Sequence, residues 1–567
     1  MKKVIPLLLT ALLLTGCASA PETIATVQTT AATEAPTQTD SGAVTEAPAY
    51  VSRFDGETVI ALSDDGLTVN GGGETDTVYT SHDIVYYEEK TAYESGNPYG
   101  AGSDADMHSA EEAQAHTVVN ITAPGAYRLS GRLSAGQIRI DLGEDAASDP
   151  DAAVELILDG VDITCTVAPA ILFRNVYECD GDWSTETAQS VVDTSEAGAS
   201  LILAENSRNT VSGAYVAKIY KDAEGEKKLC KQDGAVYSYM SMNVYGPGAL
   251  DITAENEGLD TELHLTINGG DIAIRSQDDG INTNEDGVSV TTINGGTLHI
   301  IAGLGAEGDG IDSNGYLVIN GGTVVASANP ASDAGLDSDM GSFINGGTVV
   351  ALGSTMDWAE SDSRQVTMNL QFAQYQSSGS AIVVTKEDGT VIFAYDPSED
   401  EVLGENMRQY MGAVISCPAL AQGETYRLWL DGAVTGTETG GVYSSVTAYE
   451  GGTQMQYTGT DVGRGGMGGH RPDGEKPEGF DGERHQGRDF TPPDGDSGRP
   501  PEKPDGEAPS VPEAGTPPDG ERPALPEGET MPGRQMPESG GQSTAPEAST
   551  DFYMNDKVNA FSGVTAV

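Results

Sequence analysis

Ile267-Asn268-Gly269-Gly270 is the first of four copies of one tetrapeptide, and the later copies begin at Ile293, Ile319 and Ile344. The asparagines of successive copies lie 26, 26 and 25 residues apart. A constant period of this size is typical of a repeat fold, in which each repeat forms one structural unit and packs only on its neighbours.

Short segments rich in β-branched residues follow each Gly-Gly pair, and turn residues bound them, which is the pattern of β-strands. They are 271–275, 297–301, 323–327 and 348–352. Alternation along a strand predicts that Leu298, Val324 and Val349 stack on Ile272 inside the fold. A second set of echoes places Ile281, Ile311 and Leu336 in another inward column. The sequence therefore predicts an all-β protein built on a parallel β-helix, with one turn per repeat.

The repeated asparagines Asn268, Asn294, Asn320 and Asn345 are interpreted as an amide ladder, in which stacked side chains hydrogen-bond along the axis. The adjacent Gly-Gly pair supplies backbone conformations that other residues avoid. This interpretation gives the column a structural role, and we do not nominate it as a functional site.

The chain has 88 acidic and 29 basic residues and a formal net charge of −59. Nucleic acid is excluded as a partner, because phosphate binding needs a basic footprint. Such a surface also repels acidic polymers unless divalent cations intervene.

The N-terminus has the pattern of an export signal, in which Lys2 and Lys3 precede the apolar run 4–14. The segment ends in Leu-Thr-Gly-Cys17, which resembles the cleavage motif of bacterial lipoproteins. That resemblance implies a signal peptide at 1–16 and a lipid on Cys17 that anchors the protein to the membrane at the bacterial cell surface. The alternative is an ordinary secretory peptide with a chance cysteine.

Composition divides the rest of the chain. Residues 17–50 predict a disordered tether, and 51–360 predict the β-helix, with an insertion at 79–116. Alternating strands at 361–450 predict an antiparallel β-sheet or sandwich that caps the exposed strand edges of the last turn. Residues 463–550 hold 16 of the 28 prolines and predict a disordered tail, after which 551–567 docks on the fold.

Four further cysteines, Cys165, Cys179, Cys230 and Cys417, match no zinc pattern. Pairing of Cys165 with Cys179 is the most local option for a disulfide, and the sequence leaves it open.

Several phrases together resemble a family of secreted bacterial lipoproteins known as carbohydrate-binding-domain proteins. They are the Ile-Asn-Gly-Gly repeats, 126–131 (AYRLSG), 154–163 (VELILDGVDI) and 556–563 (DKVNAFSG). The resemblance implies a right-handed parallel β-helix similar to that of pectate lyases. It also implies binding of plant cell-wall polysaccharides, including acidic ones, bound calcium, and no established catalytic mechanism.

Acidic residues recur at corresponding positions of successive repeats. Stacking brings such residues about 4.8 Å apart, and like charges at that distance repel unless a cation bridges them. Calcium takes six to eight oxygen ligands. We therefore expect Ca²⁺ at a site drawn from Asp278, Asp279, Asp309, Asp312, Asp337 and Asp339. The alternative is that Asp and Asn simply favour turns.

Three residues are candidates for contacting carbohydrate: Arg275, His299 and Trp358. Arg275 and His299 are expected side by side on the outer face of successive turns. Trp358 follows the last repeat, where it either plugs the coil end, which we favour, or borders a groove.

The sequence favours a non-catalytic, calcium-assisted polysaccharide-binding protein. One alternative is a calcium-dependent lyase or glycosidase, for which a lyase base would be limited to Arg275 within 250–358. Another is a structural adhesin or spacer.

Overall fold

The computed structural model describes residues 48, 50–88, 102–181, 183–220, 228–354, 357–460 and 548–567. All of them belong to one compact unit, Val44–Val567. The predicted signal peptide, Cys17 and all of the predicted tether and tail except 48, 50 and 548–550 lie outside the described residues. In the part of the chain that the structure covers, no helix has the length and apolar character needed to cross a membrane.

The described chain is all-β, and its largest sheet mixes parallel and antiparallel pairs. Three stacks of parallel strands, here called ladders A, B and C, run through residues 57–353. Ladder A consists of β1 (Glu57–Ser63), β5 (Gly125–Leu133), β7 (Val154–Cys165), β9 (Ala199–Leu203), β14 (Met242–Tyr245), β17 (Leu265–Ile267), β20 (Val290–Ile293), β23 (Tyr316–Ile319) and β25 (Gly341–Ile344).

Ladder B continues from the second half of β7, whose residues pair in parallel with the next strand of that ladder. Its further strands are β10 (Arg208–Gly213), β15 (Ala249–Ala254), β18 (Asp271–Ser276), β21 (Thr297–Ile301), β24 (Thr323–Ser327) and β26 (Thr348–Gly353).

Ladder C consists of β4 (Thr117–Ile121), β6 (Gly136–Asp141), β8 (Ile171–Asn175), β13 (Gly234–Ser238), β16 (Glu257–Thr261), β19 (Ile281–Thr283) and β22 (Ile311–Ser313). An isolated parallel bridge from Ile311 to Leu336 extends it by one more turn.

The main core lies on the inner side of the three ladders. Ile272, Leu298, Val324 and Val349 occupy one register column of ladder B, and all four are fully buried. The column of Ile281, Ile311 and Leu336 lies in ladder C. Both predicted inward columns are confirmed, and each buried Ile or Leu contributes roughly 1.5–3 kcal/mol of hydrophobic stabilisation.

The second glycine of each tetrapeptide sits at the corner between ladders A and B in the left-handed backbone region. The φ angles are +107° at Gly270, +89° at Gly296, +81° at Gly322 and +84° at Gly347. Close stacking adds a second requirement, because a Cβ on Gly296 would lie 2.7 Å from the carbonyl oxygen of Gly270 in the preceding turn. The predicted reason for Gly at this position is confirmed.

Several shorter elements lie outside the three ladders or pair with their first strands. The antiparallel strands β2 (Gly66–Val69) and β3 (Val78–Ser81) pair with β1 and β4. The predicted insertion contains β3 and the helix α1 (Ala110–Gln114). A 3₁₀ helix spans Ala146–Ser148. The hairpin of β11 (Val216–Tyr220) and β12 (Lys228–Gln232) precedes β13, and the sequence reading missed it.

Antiparallel strands follow the last turn and form the part that we call the cap, with its own hydrophobic core. They are β27 (Thr367–Gln376), β28 (Ile382–Lys386), β29 (Val391–Tyr395), β30 (Tyr410–Ser416), β31 (Thr425–Leu430), β32 (Ala433–Thr439), β33 (Val442–Glu450), β34 (Thr453–Gln456), β35 (Phe552–Tyr553) and β36 (Val558–Ala566). Two 3₁₀ helices, Pro397–Glu399 and Gly404–Asn406, lie between β29 and β30.

The cap covers the strand edge that ladder B would otherwise expose, since β30 pairs antiparallel with β26. β36 pairs in parallel with β27, so the C-terminal segment lies inside the cap sheet. The cap core also includes Ile301, Val325 and Val350 from the outer face of ladder B. The cap thus packs along one side of ladder B as well as at its end.

Candidate functional site: two acidic columns and a groove

The four repeated asparagines form a hydrogen-bonded ladder at the corner after ladder A. Asn294 Nδ2 donates to Asn268 Oδ1 at 2.8 Å, Asn320 Nδ2 to Asn294 Oδ1 at 2.9 Å, and Asn345 Nδ2 to Asn320 Oδ1 at 3.0 Å. The predicted amide ladder is confirmed, and all of its bonds point the same way.

Carboxyl groups form two columns on ladder C. The first acidic column follows the strand register from Asp260 through Asn282 to Asp312, and Asp337 continues it next to the Ile311–Leu336 bridge. The second lies just before or at the start of the same strands and contains Glu257, Asp279 and Asp309. Parallel stacking therefore places the three carboxyls of the second column above each other at the spacing of adjacent strands, while neutral Asn282 separates Asp260 from Asp312 in the first.

Several hydrogen bonds fix the side chains of the two acidic columns. Asp279 Oδ1 accepts from the Asp309 N–H at 2.7 Å, so the second column is linked from turn to turn. Asn282 Nδ2 donates to Glu257 Oε1 at 3.1 Å and joins the two columns. Asp309 Oδ1 accepts from the Ala334 N–H.

Other oxygens of the columns have no partner. Glu257 Oε2, Asp260 Oδ2 and Asn282 Oδ1 are buried and accept no hydrogen bond from any described residue. Glu257 is 5% exposed and Asp260 is fully buried. A buried, unsatisfied oxygen costs about 1–3 kcal/mol, and more when it is charged. These atoms therefore call for a bound proton or a cation.

The columns hold protons far above the usual pH range of carboxylic acids. Burial raises the pKa of Asp309 to about 8, and repulsion from Asp337 and Asp312 adds to it. Burial and then repulsion from Asp337 raise the pKa of Asp312 to about 7. Burial and repulsion from Asp233 raise the pKa of Glu257 to about 7.

The neighbouring carboxyls follow the same rule. Burial and repulsion from Glu257 raise the pKa of both Asp260 and Asp279 well above its usual value. Burial and repulsion from Glu307 raise the pKa of Asp278 to about 6. In every case burial is the main cause of the raised pKa, and repulsion from neighbouring carboxylates adds to it.

At one end of the columns, Asp233, Glu257 and Asp260 bring one carboxylate oxygen each within 4.8 Å of one another. We call them the acidic trio. Lys231 from β12 reaches them, with its Nζ 2.6 Å from Asp233 Oδ2 and 2.6 Å from Asn284 Oδ1. The nearby carboxylates raise the pKa of Lys231 against its burial. This ammonium already supplies one positive charge to the trio.

The six residues expected to bind metal are not all equivalent. Asp279, Asp309, Asp312 and Asp337 lie in the columns, and Asp278 is half-buried beside them. Asp339 is exposed. The sequence reading missed Asp233, Glu257 and Asp260. The Glu257-Gly-Leu-Asp260 phrase is the same echo as Asp279-Gly-Ile-Asn282 one turn later, and that signal could have found two of them.

The cap covers the surface where Arg275 and His299 were expected to be open. Arg275 donates from Nη1 to Asp251 Oδ1 at 2.7 Å and from Nε to the Val402 carbonyl at 3.2 Å. His299 is 4% exposed, and its Nδ1 lies 3.3 Å from Asp400 Oδ2 in the cap. Trp358 packs against the main core after the last turn. These three residues do not share one accessible surface.

An open groove of about 870 Å³ lies elsewhere, at the corner after ladder A in the earlier turns. Its polar lining includes Tyr50, Glu57, Arg128, Asp159, Asn268 and Asp271. Its volume lies within the range of ligand-binding clefts.

None of Cys165, Cys179, Cys230 and Cys417 is in a disulfide. The local pairing left open for Cys165 and Cys179 is therefore not formed. Burial raises the pKa of the Cys165 thiol to about 12 and favours its neutral form.

Two known proteins resemble parts of this chain. A carbohydrate-binding domain-containing protein of Acetivibrio thermocellus is 28% identical over 159 residues, which make up 28% of this chain and 45% of that protein. The chain thus matches less than half the length of this curated relative. A solved structure of a polysaccharide lyase-like protein from C. thermocellum, a gadolinium derivative, is 21% identical. The alignment covers 51% of this chain and 92% of that one, with a TM-score of 0.30.

A family model gives the broader relationship. Residues 115–396 of this chain, which carry both acidic columns, match the model of the carbohydrate-binding domain-containing protein family.

Proposed function

We propose that this protein binds plant cell-wall polysaccharide without cleaving it, and that calcium in the acidic columns assists. The family match over 115–396 supports carbohydrate binding in general. The choice of plant cell-wall polysaccharide rests on the sequence resemblance. The role of calcium rests on the geometry of the acidic columns.

The scaffold of this proposal is a right-handed parallel β-helix. Its support is the recurrence of ladders A, B and C in fixed chain order between Met242 and Gly353, where the isolated bridge at Leu336 stands for ladder C in the last turn. Such a coil presents long columns of equivalent side chains on its outside, which suits an extended polymer.

The observation that carries the calcium proposal is a set of three buried side-chain oxygens without partners in the columns: Glu257 Oε2, Asp260 Oδ2 and Asn282 Oδ1. The donor set of the columns is entirely carboxylate and amide oxygen, which is the set that Ca²⁺ prefers. Asp279, Asn282, Asp309 and Asp312 would hold the ion, with Glu257, Asp260 and Asp337 adjacent. A bound Ca²⁺ neutralises the columns and can also bridge to the carboxylate of an acidic glycan.

Two points weigh against catalysis by proton abstraction. Arg275, the candidate base of a lyase, is engaged by Asp251 and the Val402 carbonyl. His299, its neighbour in the register of ladder B, is buried beneath the cap.

We also propose that the protein is held at the bacterial cell surface by a lipid on Cys17. Replacing Cys17 by Ser is expected to move the protein from the membrane fraction to the medium. Continued membrane association of Cys17→Ser would refute the anchor.

The test of the function is calorimetry with polygalacturonate, with Ca²⁺ and with a chelator, while the ultraviolet absorbance of unsaturated uronate is followed in the same sample. We expect heat of binding that requires Ca²⁺ and a flat absorbance trace. The double variant Asp309→Asn and Asp312→Asn should bind neither Ca²⁺ nor polygalacturonate. A rising absorbance would instead identify a lyase, and absence of heat with both acidic and neutral glycans would refute carbohydrate binding.

A further inference from the structure

All hydrogen bonds of the asparagine ladder run from one turn to the turn before it. The amide at the start of the ladder therefore has no ladder acceptor for its N–H groups. Every amide in it donates from Nδ2 to the Oδ1 of the preceding turn, so Asn268 only accepts. Asn268 Nδ2 donates to no described residue. The Asn268 side chain belongs to a residue that is only 9% exposed. The side chain is mostly buried while its amide opens on the groove, where water or a ligand can accept from it.

The ladder ends at Asn268 because the preceding turn has a different residue at that position. Val244 pairs with Ile267, so Tyr245 occupies the place that the next turn gives to Asn268. Tyr245 cannot extend the amide ladder, and its ring packs against Tyr50 with centroids 5.5 Å apart. The stacked amide dipoles therefore end with N–H groups at the groove, which Asn268 and Tyr50 both line.

The charges of the groove indicate what kind of acceptor would bind there. Arg128, its one lysine or arginine among the described lining residues, donates to Glu57 at 2.6 and 2.9 Å and to Asp159 at 3.1 Å. Glu205 and Asp271 add two further exposed carboxylates. This acidic surplus repels a uronate or phosphate. Carboxylates accept hydrogen bonds from hydroxyl groups, and the amide donates to hydroxyl or ring oxygens.

We propose that this groove is a binding site for a neutral, hydroxyl-rich glycan chain, with the Asn268 amide as its central donor. The site rests on the proposed function, because it requires that the protein binds carbohydrate. It assigns neutral glycans to the ladder-A corner, whereas acidic glycans would need the calcium columns of ladder C. The Tyr50 ring is fixed by its hydroxyl, which donates to Glu155 at 2.7 Å, and it offers an apolar face to the sugar.

Two asparagine variants separate the groove from the ladder. Asn268→Asp keeps the acceptor for Asn294 and replaces the free donor with a negative charge. Asn320→Asp removes a donor inside the ladder, away from the groove. We therefore expect Asn268→Asp, which keeps every hydrogen bond of the ladder, to lower Tm less than Asn320→Asp does and to lose glycan affinity by roughly tenfold or more. Asn320→Asp should lower the stability and leave the affinity unchanged.

The measurement is isothermal calorimetry of the full chain with cellohexaose and xylohexaose in the presence of a chelator. Hexagalacturonate, measured both with chelator and with Ca²⁺, is the acidic counterpart. The expected result is binding of at least one neutral hexamer and weakening by Asn268→Asp. Should Asn268→Asp not fold, Asp271→Ala replaces it, since Asp271 is exposed and its loss should weaken binding several-fold.

Wild-type affinity in both groove variants would overturn the site while leaving carbohydrate binding intact. Binding of hexagalacturonate alone, with Ca²⁺, would also overturn the site and would keep the proposed function. No binding of any of the three hexamers would overturn both.

Discussion

Removing calcium should give the protein an unusual dependence of stability on pH. Glu257 and Asp312 have pKa values of about 7 and Asp309 of about 8 in the folded chain. The unfolded values are about 4 for both residue types. Between about pH 5 and pH 7 the folded state therefore holds protons that the unfolded state has lost. Stability must fall as the pH rises through this window.

The magnitude follows from the number of protons involved. Each carboxyl that stays protonated only in the folded state lowers the free energy of unfolding by about 1.4 kcal/mol per pH unit. Glu257, Asp309 and Asp312 together contribute at most about 4 kcal/mol per unit. Their mutual coupling reduces this figure, while the raised pKa values of Asp260, Asp278 and Asp279 act in the same direction. A cation that binds only the folded state restores about 2.7 kcal/mol at a free concentration one hundred times its Kd.

Thermal unfolding followed by circular dichroism at pH 5, 6, 7 and 8, with chelator or with Ca²⁺, measures both effects. With chelator, Tm should be highest near pH 5 and should fall toward pH 8, while Ca²⁺ should raise it most at pH 7 and 8. The double variant Asp309→Asn and Asp312→Asn should flatten the pH profile and reduce the effect of Ca²⁺. Asp55→Asn, at an exposed position, serves as the control with the same change of charge per site. A Tm that rises from pH 5 to pH 7 in chelator would refute the reasoning.

Three further changes test the scaffold. Gly296→Ala forces a side chain into a left-handed conformation and against the Gly270 carbonyl, so it should cost at least about 1–2 kcal/mol in urea unfolding; Gly73→Ala, in open space, should cost much less. Lys231→Met removes the ammonium from the acidic trio, so Tm in chelator should drop and Ca²⁺ should recover more of it than in the wild type. Replacing 461–547 by a short Gly-Ser linker should leave Tm unchanged, whereas truncation of the chain after residue 460 should lower it sharply.

The parts of the fold that repeat within the chain could be predicted from the sequence. Each tetrapeptide encodes a corner by local chemistry, and the period then fixes which residues stack, so Ile272 and Val324 could be placed in one column. The asparagine ladder follows from the same period. The acidic columns were only partly found, because Glu257 and Asp260 precede the first perfect tetrapeptide and Asp233 lies in a turn that the hairpin β11–β12 interrupts.

The position of the cap could not be read from any period. Its antiparallel strands were visible in the sequence, yet its contacts with Arg275 and His299 join residues more than 100 positions apart. Val402 and Asp400 carry no local signal that marks them as partners of ladder B. Consequently, a surface that looked open from the repeat pattern alone is closed in the folded chain.

The break in a repeat can be more informative about function than the repeat itself. Within the amide ladder each side chain donates one N–H to the preceding turn, and the first member lacks that acceptor. At the far end, Asn345 Oδ1 accepts from the backbone N–H of Arg364, so that end is closed by the chain. At the near end, Tyr245 interrupts the column, and the free donors of Asn268 face a groove with a surplus of acceptors. Tyr245 stands where the following turns have Asn, and this break becomes a site only because stacking gives every amide the same direction.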